Sequence, residues 1–167
     1  MKKLLVLLSV ITMAFILSLS ASAAEERVVI DNVVYELMTD KYLYWSDNPY
    51  GEHYAVTDFL DDETLAETTT KITIVDKIDG IKVLGINTNE FAGDDGSAGY
   101  YEQQYPAVKE VILPETIKYM GEYAFMFFPS VEKLILPDGL EFFMEGTFYY
   151  MKSLKSITIP EKITFIP

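Results

Sequence analysis

Three stretches of this sequence can be laid over one another: Val108-Lys109-Glu110-Val111-Ile112-Leu113-Pro114, Val131-Glu132-Lys133-Leu134-Ile135-Leu136-Pro137 and Leu154-Lys155-Ser156-Ile157-Thr158-Ile159-Pro160. Their prolines stand 23 residues apart in both intervals. Between them, Ile117, Met120 and Phe125 recur as Leu140, Phe143 and Phe148, and the small residues Ala124 and Thr147 precede the two phenylalanines. The alternation in Leu134-Ile135-Leu136 suits a strand, and the proline that follows ends it because it has no N–H to donate to a ladder. A second short extended segment is expected around Ile117 and Met120, with a corner at Tyr123-Ala124-Phe125 that turns a ring inward. A fixed period this short predicts a solenoid. One unit cannot bury its own apolar face, but stacked units share a continuous core.

Working outward, an earlier and degenerate copy begins near residue 69. Ile72-Thr73-Ile74-Val75 matches the strand, with Val75 at the proline position, and Val83, Ile86 and Phe91 match the later apolar positions. Val75 and Pro114 are 39 residues apart, 16 more than one period. Five of the extra residues are assigned to the turn at 76–80 and 11 to the segment between Phe91 and Val108, which holds Tyr100, Tyr101 and Tyr105. The array therefore spans 69–167, with units starting near 69, 108, 131 and 154. The fourth unit reaches Ile163 and Ile166 and is incomplete.

Residues 25–68 read as a hairpin-rich β cap. Val28-Val29-Ile30 and Val33-Val34-Tyr35-Glu36-Leu37 flank Asp31-Asn32, a dipeptide tolerant of the left-handed conformations of a tight hairpin. Tyr42-Leu43-Tyr44-Trp45 and the stretch from His53 to Phe59 are further strand candidates, separated by a segment dense in turn formers. Asp58, Asp61, Asp62 and Glu63 then read as an acidic loop. Residues 1–24 have the form of a cleavable export signal. Lys2 and Lys3 precede an apolar run from Leu4 to Leu19, and Ala21-Ser22-Ala23 supplies small residues for a peptidase. That run of 16 residues is shorter than the roughly 18 of a spanning helix, so no membrane insertion is expected after cleavage.

Without Lys2 and Lys3 the chain carries 11 basic against 26 acidic side chains, a formal charge of −15. Binding to phosphate backbones or anionic lipid needs clustered Lys and Arg, so nucleic acid is excluded as the expected partner. Half the residues are apolar and there is no cysteine. Stability outside the cell must therefore come from burial rather than disulfides, and the many Tyr and Phe rings carry much burial area each.

The units resemble the BspA-type leucine-rich repeats of bacterial surface proteins, whose pattern runs L-x-x-I-x-I-P, then V-x-x-I-G-x-x-A-F. Gly121-Glu122-Tyr123-Ala124-Phe125 after Met120 follows that pattern. The third unit departs from it, with Met144 for the glycine and Thr147 for the alanine. Members often carry cysteine three residues after the phenylalanine; Phe128 and Met151 stand there, which favours an apolar stacking position. The segment Ile78-Asp79-Gly80-Ile81-Lys82-Val83 is similar to an insertion often seen in a first repeat. The resemblance covers about 69–167. It implies display outside the cell, binding of a protein or a glycan, and adhesion as a role; it implies no reaction and no cofactor.

The chemistry-bearing residues agree with that. His53 is the single histidine, too few for a zinc site, which usually takes several His or Cys ligands. It reads as structural or surface. No serine sits in a G-x-S-x-G turn, and the acidic runs do not have the spacing of a calcium loop. No catalytic, cofactor-binding or metal-binding residue is therefore assigned. The aromatic residues carry the binding expectation. Met126-Phe127-Phe128 and Tyr149-Tyr150-Met151 occupy the same place in successive units. Phe127 and Tyr150 fall where the resembled family has a small turn residue, so a ring there is expected to face solvent. The candidate patch is Phe127, Tyr149 and Tyr150, with Tyr100, Tyr101 and Tyr105 on the long insertion, because insertions often lie on the binding face of a repeat protein. The alternative is a structural stalk or spacer, part of a longer surface protein whose activity lies elsewhere.

Overall fold

The computed structural model describes residues 27–39, 48–59, 63–88, 105–126 and 128–167. The leader (1–24), the Tyr42–Trp45 stretch, Phe127, Tyr100 and Tyr101 lie outside the described residues. The chain is mainly β, built as two layers of strands over one core.

The larger layer begins with the expected hairpin. β1 (Arg27–Ile30) pairs antiparallel with β2 (Val33–Met38). Asp31 and Asn32 between them take φ of 48° and 66°, the left-handed values that Asp and Asn accept most readily among residues with a side chain. β2 then pairs antiparallel with β3 (His53–Phe59), from Val33↔Phe59 to Met38↔His53. Asp61 and Asp62 of the expected acidic loop lie outside the described residues. Asp58 lies inside β3, and Glu63 opens a short helix, α1 (Glu63–Thr68), whose turn is closed by Thr69 N–H donating to the Leu65 carbonyl at 2.8 Å. Leu, Ala and Glu are good helix formers, and their run through 65–67 wins over the local charge.

From β4 (Lys71–Thr73) the chain coils. β5 (Lys77–Ile78) and β6 (Ile81–Ile86) form a small hairpin through Asp79 and Gly80, both at positive φ. β7 (Glu110–Ile112) and β8 (Tyr119–Met120) repeat the pair of extended segments, as do β9 (Lys133–Leu134) and β10 (Phe142–Phe143); β11 (Ser156–Ile157) opens the next. One strand of each coil joins the larger layer, in the order β1-β2-β3-β6-β8-β10 with β5 on the side of β6. The other joins a second layer, in which β4 pairs with β7, β7 lies against β9, and β9 pairs with β11. All of the pairings between coils are parallel.

The registers translate the period into space. Tyr119 pairs with Phe142 and Lys133 with Ser156, each 23 positions on. The first coil is longer. Lys71 pairs with Glu110, 39 positions on, whereas Gly85 pairs with Tyr119, 34 positions on. Five extra residues thus lie between its two strands and 11 after them.

The core between the layers is a ladder of equivalent positions. Ile72, Val111 and Leu134 face it from one layer, and Ile86, Met120 and Phe143 from the other, with Ile117, Leu140, Phe125 and Phe128 at the bends. Tyr54, Val56 and Phe59 of β3 enter the same cluster. The lead-in strands and the coils therefore share a sheet and a core. In the last coil, Phe165 and Ile166 sit one period after Phe142 and Phe143, form no strand, and are 74% and 64% exposed.

Candidate interaction surface

The corner after β10 presents the two tyrosines. Residues 145–150 turn tightly, with Tyr149 N–H donating to the Gly146 carbonyl at 2.7 Å. Gly146 (φ 67°) and Tyr123 (φ 55°) are the same position in successive coils, and both are left-handed. The Tyr123 ring lies over Gly146, where a Cβ would come within 2.3 Å of it. A side chain at 146 is therefore excluded by the ring of the previous coil. Tyr149 meets that ring edge-on (6.1 Å between centroids, 86°) and lies 5.9 Å from Tyr150. Tyr149 is 56% exposed and Tyr150 40%. The Lys152 ammonium sits 4.0 Å over the Tyr150 ring, a contact worth about 0.5–1 kcal/mol at an exposed site. Tyr123, Tyr149, Tyr150 and Lys152 together make a contiguous aromatic surface with one cation on it.

Tyr105 does not belong to it. The residue is 3% exposed, its ring centroid is 5.1 Å from that of Phe128, and its hydroxyl donates to the Phe59 carbonyl. It is a core residue that ties the insertion to β3. The physical reason is positional. Tyr105 precedes Val108 by three residues, as Phe128 precedes Val131 and Met151 precedes Leu154, and all three positions are buried. The repeat arithmetic itself could have found this.

A second aromatic group, unforeseen in the sequence, lies on the opposite side of the larger layer. Tyr50, Tyr119 and Phe142 stack in a column, with centroids 5.6 and 5.8 Å apart and planes within 16°. Against Tyr119 lies His53, fully buried, with Nε2 2.9 Å from the Tyr119 hydroxyl and Nδ1 2.7 Å from the Gly51 carbonyl. The Tyr50 hydroxyl donates to Glu141 at 3.0 Å, and Glu141 pairs with Lys118 at 3.2 Å. Burial, and then the nearby Tyr50, push the Tyr119 hydroxyl well above the usual tyrosine range. Burial also holds the His53 ring below the ordinary histidine value, partly opposed by the Gly51 carbonyl. Burial acts to raise Glu141, but hydrogen bonds from Lys118 and Tyr50 and the charges of Lys118 and Lys162 outweigh it and hold the carboxyl low. With both ring nitrogens engaged and no surface open, His53 is closed to any external solute.

Other apolar side chains are exposed as well. Ile112 and Ile135 are 37% and 65% exposed, and Ile135 lines a groove with Lys133, Asp138, Ser156 and Thr158. Among the described residues no group of three or more His, Asp or Glu is placed to hold a metal ion, and no helix is long and apolar enough to cross a membrane. The acidic charge is uneven. Residues 25–104 carry 18 acidic and 5 basic side chains, whereas 105–167 carry 8 and 6.

Parallel strands stacked 23 residues apart after a longer first coil, with an apolar ladder inside and tight corners outside, are the arrangement expected of a stacked-repeat protein. Residues 100–167 match the family described as BspA type Leucine rich repeat region (6 copies). That part of the chain is similar to BspA-type leucine-rich repeats, a repeat class that serves as a protein-interaction module and typifies extracellular and surface-exposed bacterial proteins. No curated protein and no solved structure matches the chain.

Proposed function

We propose that this chain is a secreted or surface-displayed binding module, with no catalytic role, that holds an extracellular protein or glycan through the corner formed by Tyr149, Tyr150 and Lys152. The observation that carries this reading is the pair of adjacent exposed tyrosine rings 5.9 Å apart. Contiguous exposed rings usually mark an interaction site, and tyrosine contributes large contact area at low ordering cost. In this reading residues 1–24 are an export signal, 25–68 a β cap, and 69–167 the array that presents the corner. Adhesion is the role that fits. The near-balanced charge of 105–167 leaves that surface free of the repulsion an acidic partner would meet at the lead-in.

The test is retention of the purified chain on immobilised extracellular-matrix protein and on mucin. Tyr149→Ala with Tyr150→Asn removes both rings, and asparagine accepts the left-handed backbone at 150 (φ 62°). Retention is expected to fall at least tenfold with the thermal midpoint within two degrees or so, since exposed side chains contribute little to stability. Equal retention of the variant and the parent would remove the patch assignment.

A further inference from the structure

We propose that His53 makes the seam between the lead-in sheet and the repeats acid-sensitive: a proton on its ring forces the bond with Tyr119 to reverse and loosens the 48–53 segment from β8. The geometry fixes the starting state. A backbone carbonyl only accepts, so the contact with Gly51 places the proton of the neutral ring on Nδ1. Nε2 then carries a lone pair and accepts the Tyr119 O–H at 2.9 Å. Both ring nitrogens of His53 and the Tyr119 hydroxyl are engaged in this one tautomer.

A second proton on the ring destroys the match. Nε2–H can then only donate, so the Tyr119 oxygen must accept and turn its own hydrogen away from the ring, at a residue that is 2% exposed. The added charge would also be enclosed. On its side of the sheet lie the apolar Met38 of β2, Ala55 of β3 and Leu84 of β6, and alternation also brings Glu36 of β2, paired with Ala55, and Lys82 of β6, before Val83, to that side. The two ring nitrogens are bonded to Gly51 and Tyr119 rather than to either charge. β8 contributes Tyr119, and the preceding segment contributes Tyr50 and the exposed Glu52. The carboxylate Glu141 stands behind Tyr50 and is committed to the Tyr50 hydroxyl and Lys118, with Lys162 near it. A buried cation without a paired carboxylate is strongly disfavoured. The alternative is for the 48–53 segment to open, which separates Tyr50 from Tyr119 and hydrates the ring.

The direction follows from linkage. His53 holds its proton less readily in the folded chain than in the unfolded one. Its contribution is therefore complete above the unfolded value of about 6.5 and is lost as pH falls through that value toward the lower folded one, at up to about tenfold in the folding constant per pH unit. Glu141, held low, stays ionised across that window.

Because His53 is the single histidine, nitrogen NMR of the imidazole in the whole purified chain reads it alone. The expected result is a proton on Nδ1 and a bare Nε2 at pH 7.5, with a titration midpoint below about 6.5 that coincides with loss of the Tyr50–Tyr119 ring contact. A proton on Nε2 at pH 7.5, or a midpoint at the ordinary value with the rings still in contact, overturns the proposal. His53→Gln keeps one donor and one acceptor but cannot titrate. Between pH 7.5 and 5.5 its folding constant should fall less than the parent's, by roughly tenfold; parallel curves overturn the proposal. Should that variant not fold, Tyr119→Phe removes the donor that favours the neutral ring and should raise the His53 midpoint, and an unmoved midpoint counts against the seam.

Discussion

The lead-in and the repeats lie in one sheet but are held together differently. In the lead-in, β2 and β3 run six and seven residues and pair antiparallel along their whole length. In the coils after β6 a strand of the larger layer is two residues long, far below what pairing alone would sustain. The deficit is met in two ways. Corner amides extend the ladder: Glu141 N–H donates to the Lys118 carbonyl, Met144 N–H to Met120, and Phe125 N–H to Thr147, at 2.8 to 3.0 Å. Equivalent apolar side chains then stack through the coils, so that Ile117, Leu140, Met120 and Phe125 are fully buried. The lead-in thus gains order from long backbone ladders, and the coils gain it from side chains repeated at one period.

Phe125 is where that contrast is tested hardest. Its ring meets Phe59 of β3, Phe128 of its own coil and Phe148 of the next, at 6.4, 5.9 and 6.2 Å. Phe125→Ala should cost about 3–5 kcal/mol, the usual range for emptying a packed aromatic site. Hydrogen exchange should show β2 and β8 losing protection together, because the ring bridges both regions. Retained protection in β2 with loss in β8 would mean that the lead-in folds by itself, and the two regions would then be separate units.

Gly85 probes the seam from the other side. A Cβ there would lie 2.0 Å from the Tyr119 ring, and that ring is fixed by Tyr50, Phe142 and His53. Gly85→Ala should therefore destabilise by about 1–3 kcal/mol through overpacking, visible as a lower denaturation midpoint. A neutral result would mean that Tyr119 has room to move and that the aromatic column is not rigid.

The comparison also explains what the sequence made legible. Proline at 23-residue spacing announces strands in parallel register, and Asp31-Asn32 announces its hairpin, because both signals are local or strictly periodic. Tyr105 is legible too, three residues before Val108 and in phase with Phe128 and Met151, although it lies in the insertion. α1 was hidden by charge. The Tyr50–Tyr119–Phe142 column was half legible: Tyr119 and Phe142 are one period apart, whereas Tyr50 reaches them only because the 48–53 segment folds over the sheet. His53 follows the same rule. Alternation along β3 sends it to the side away from the main core, where exposure is the default, and its burial depends on Tyr119, 66 residues away. Of the candidate surface, Tyr149 and Tyr150 were read from their place in the unit, but Tyr123 and Lys152 were not, since ring-over-glycine packing and a cation over a ring arise from the turn geometry.

Thr147 gives the smallest and sharpest test, because pattern and structure disagree about it. The repeat pattern has alanine at this position, as at Ala124, and a change toward the common residue of a family often stabilises. The structure assigns the hydroxyl a role of its own. Thr147 is 2% exposed, and its Oγ1 lies 2.9 Å from the Gly121 carbonyl of the previous coil and 2.7 Å from the Met144 carbonyl of its own. Its single proton serves these two acceptors in turn, one between coils and one within a coil. Met144 stands where the earlier coil has Gly121, so this corner has lost the glycine of the pattern and gained the hydroxyl. Thr147→Ala should therefore lower stability by about 1–2 kcal/mol, the cost of leaving a buried carbonyl without its donor, and Thr147→Val should do the same while keeping the volume. Equal loss in both variants assigns the effect to the hydroxyl. A gain in the alanine variant would show instead that packing of identical small residues, rather than the hydrogen bond between coils, governs how these units stack.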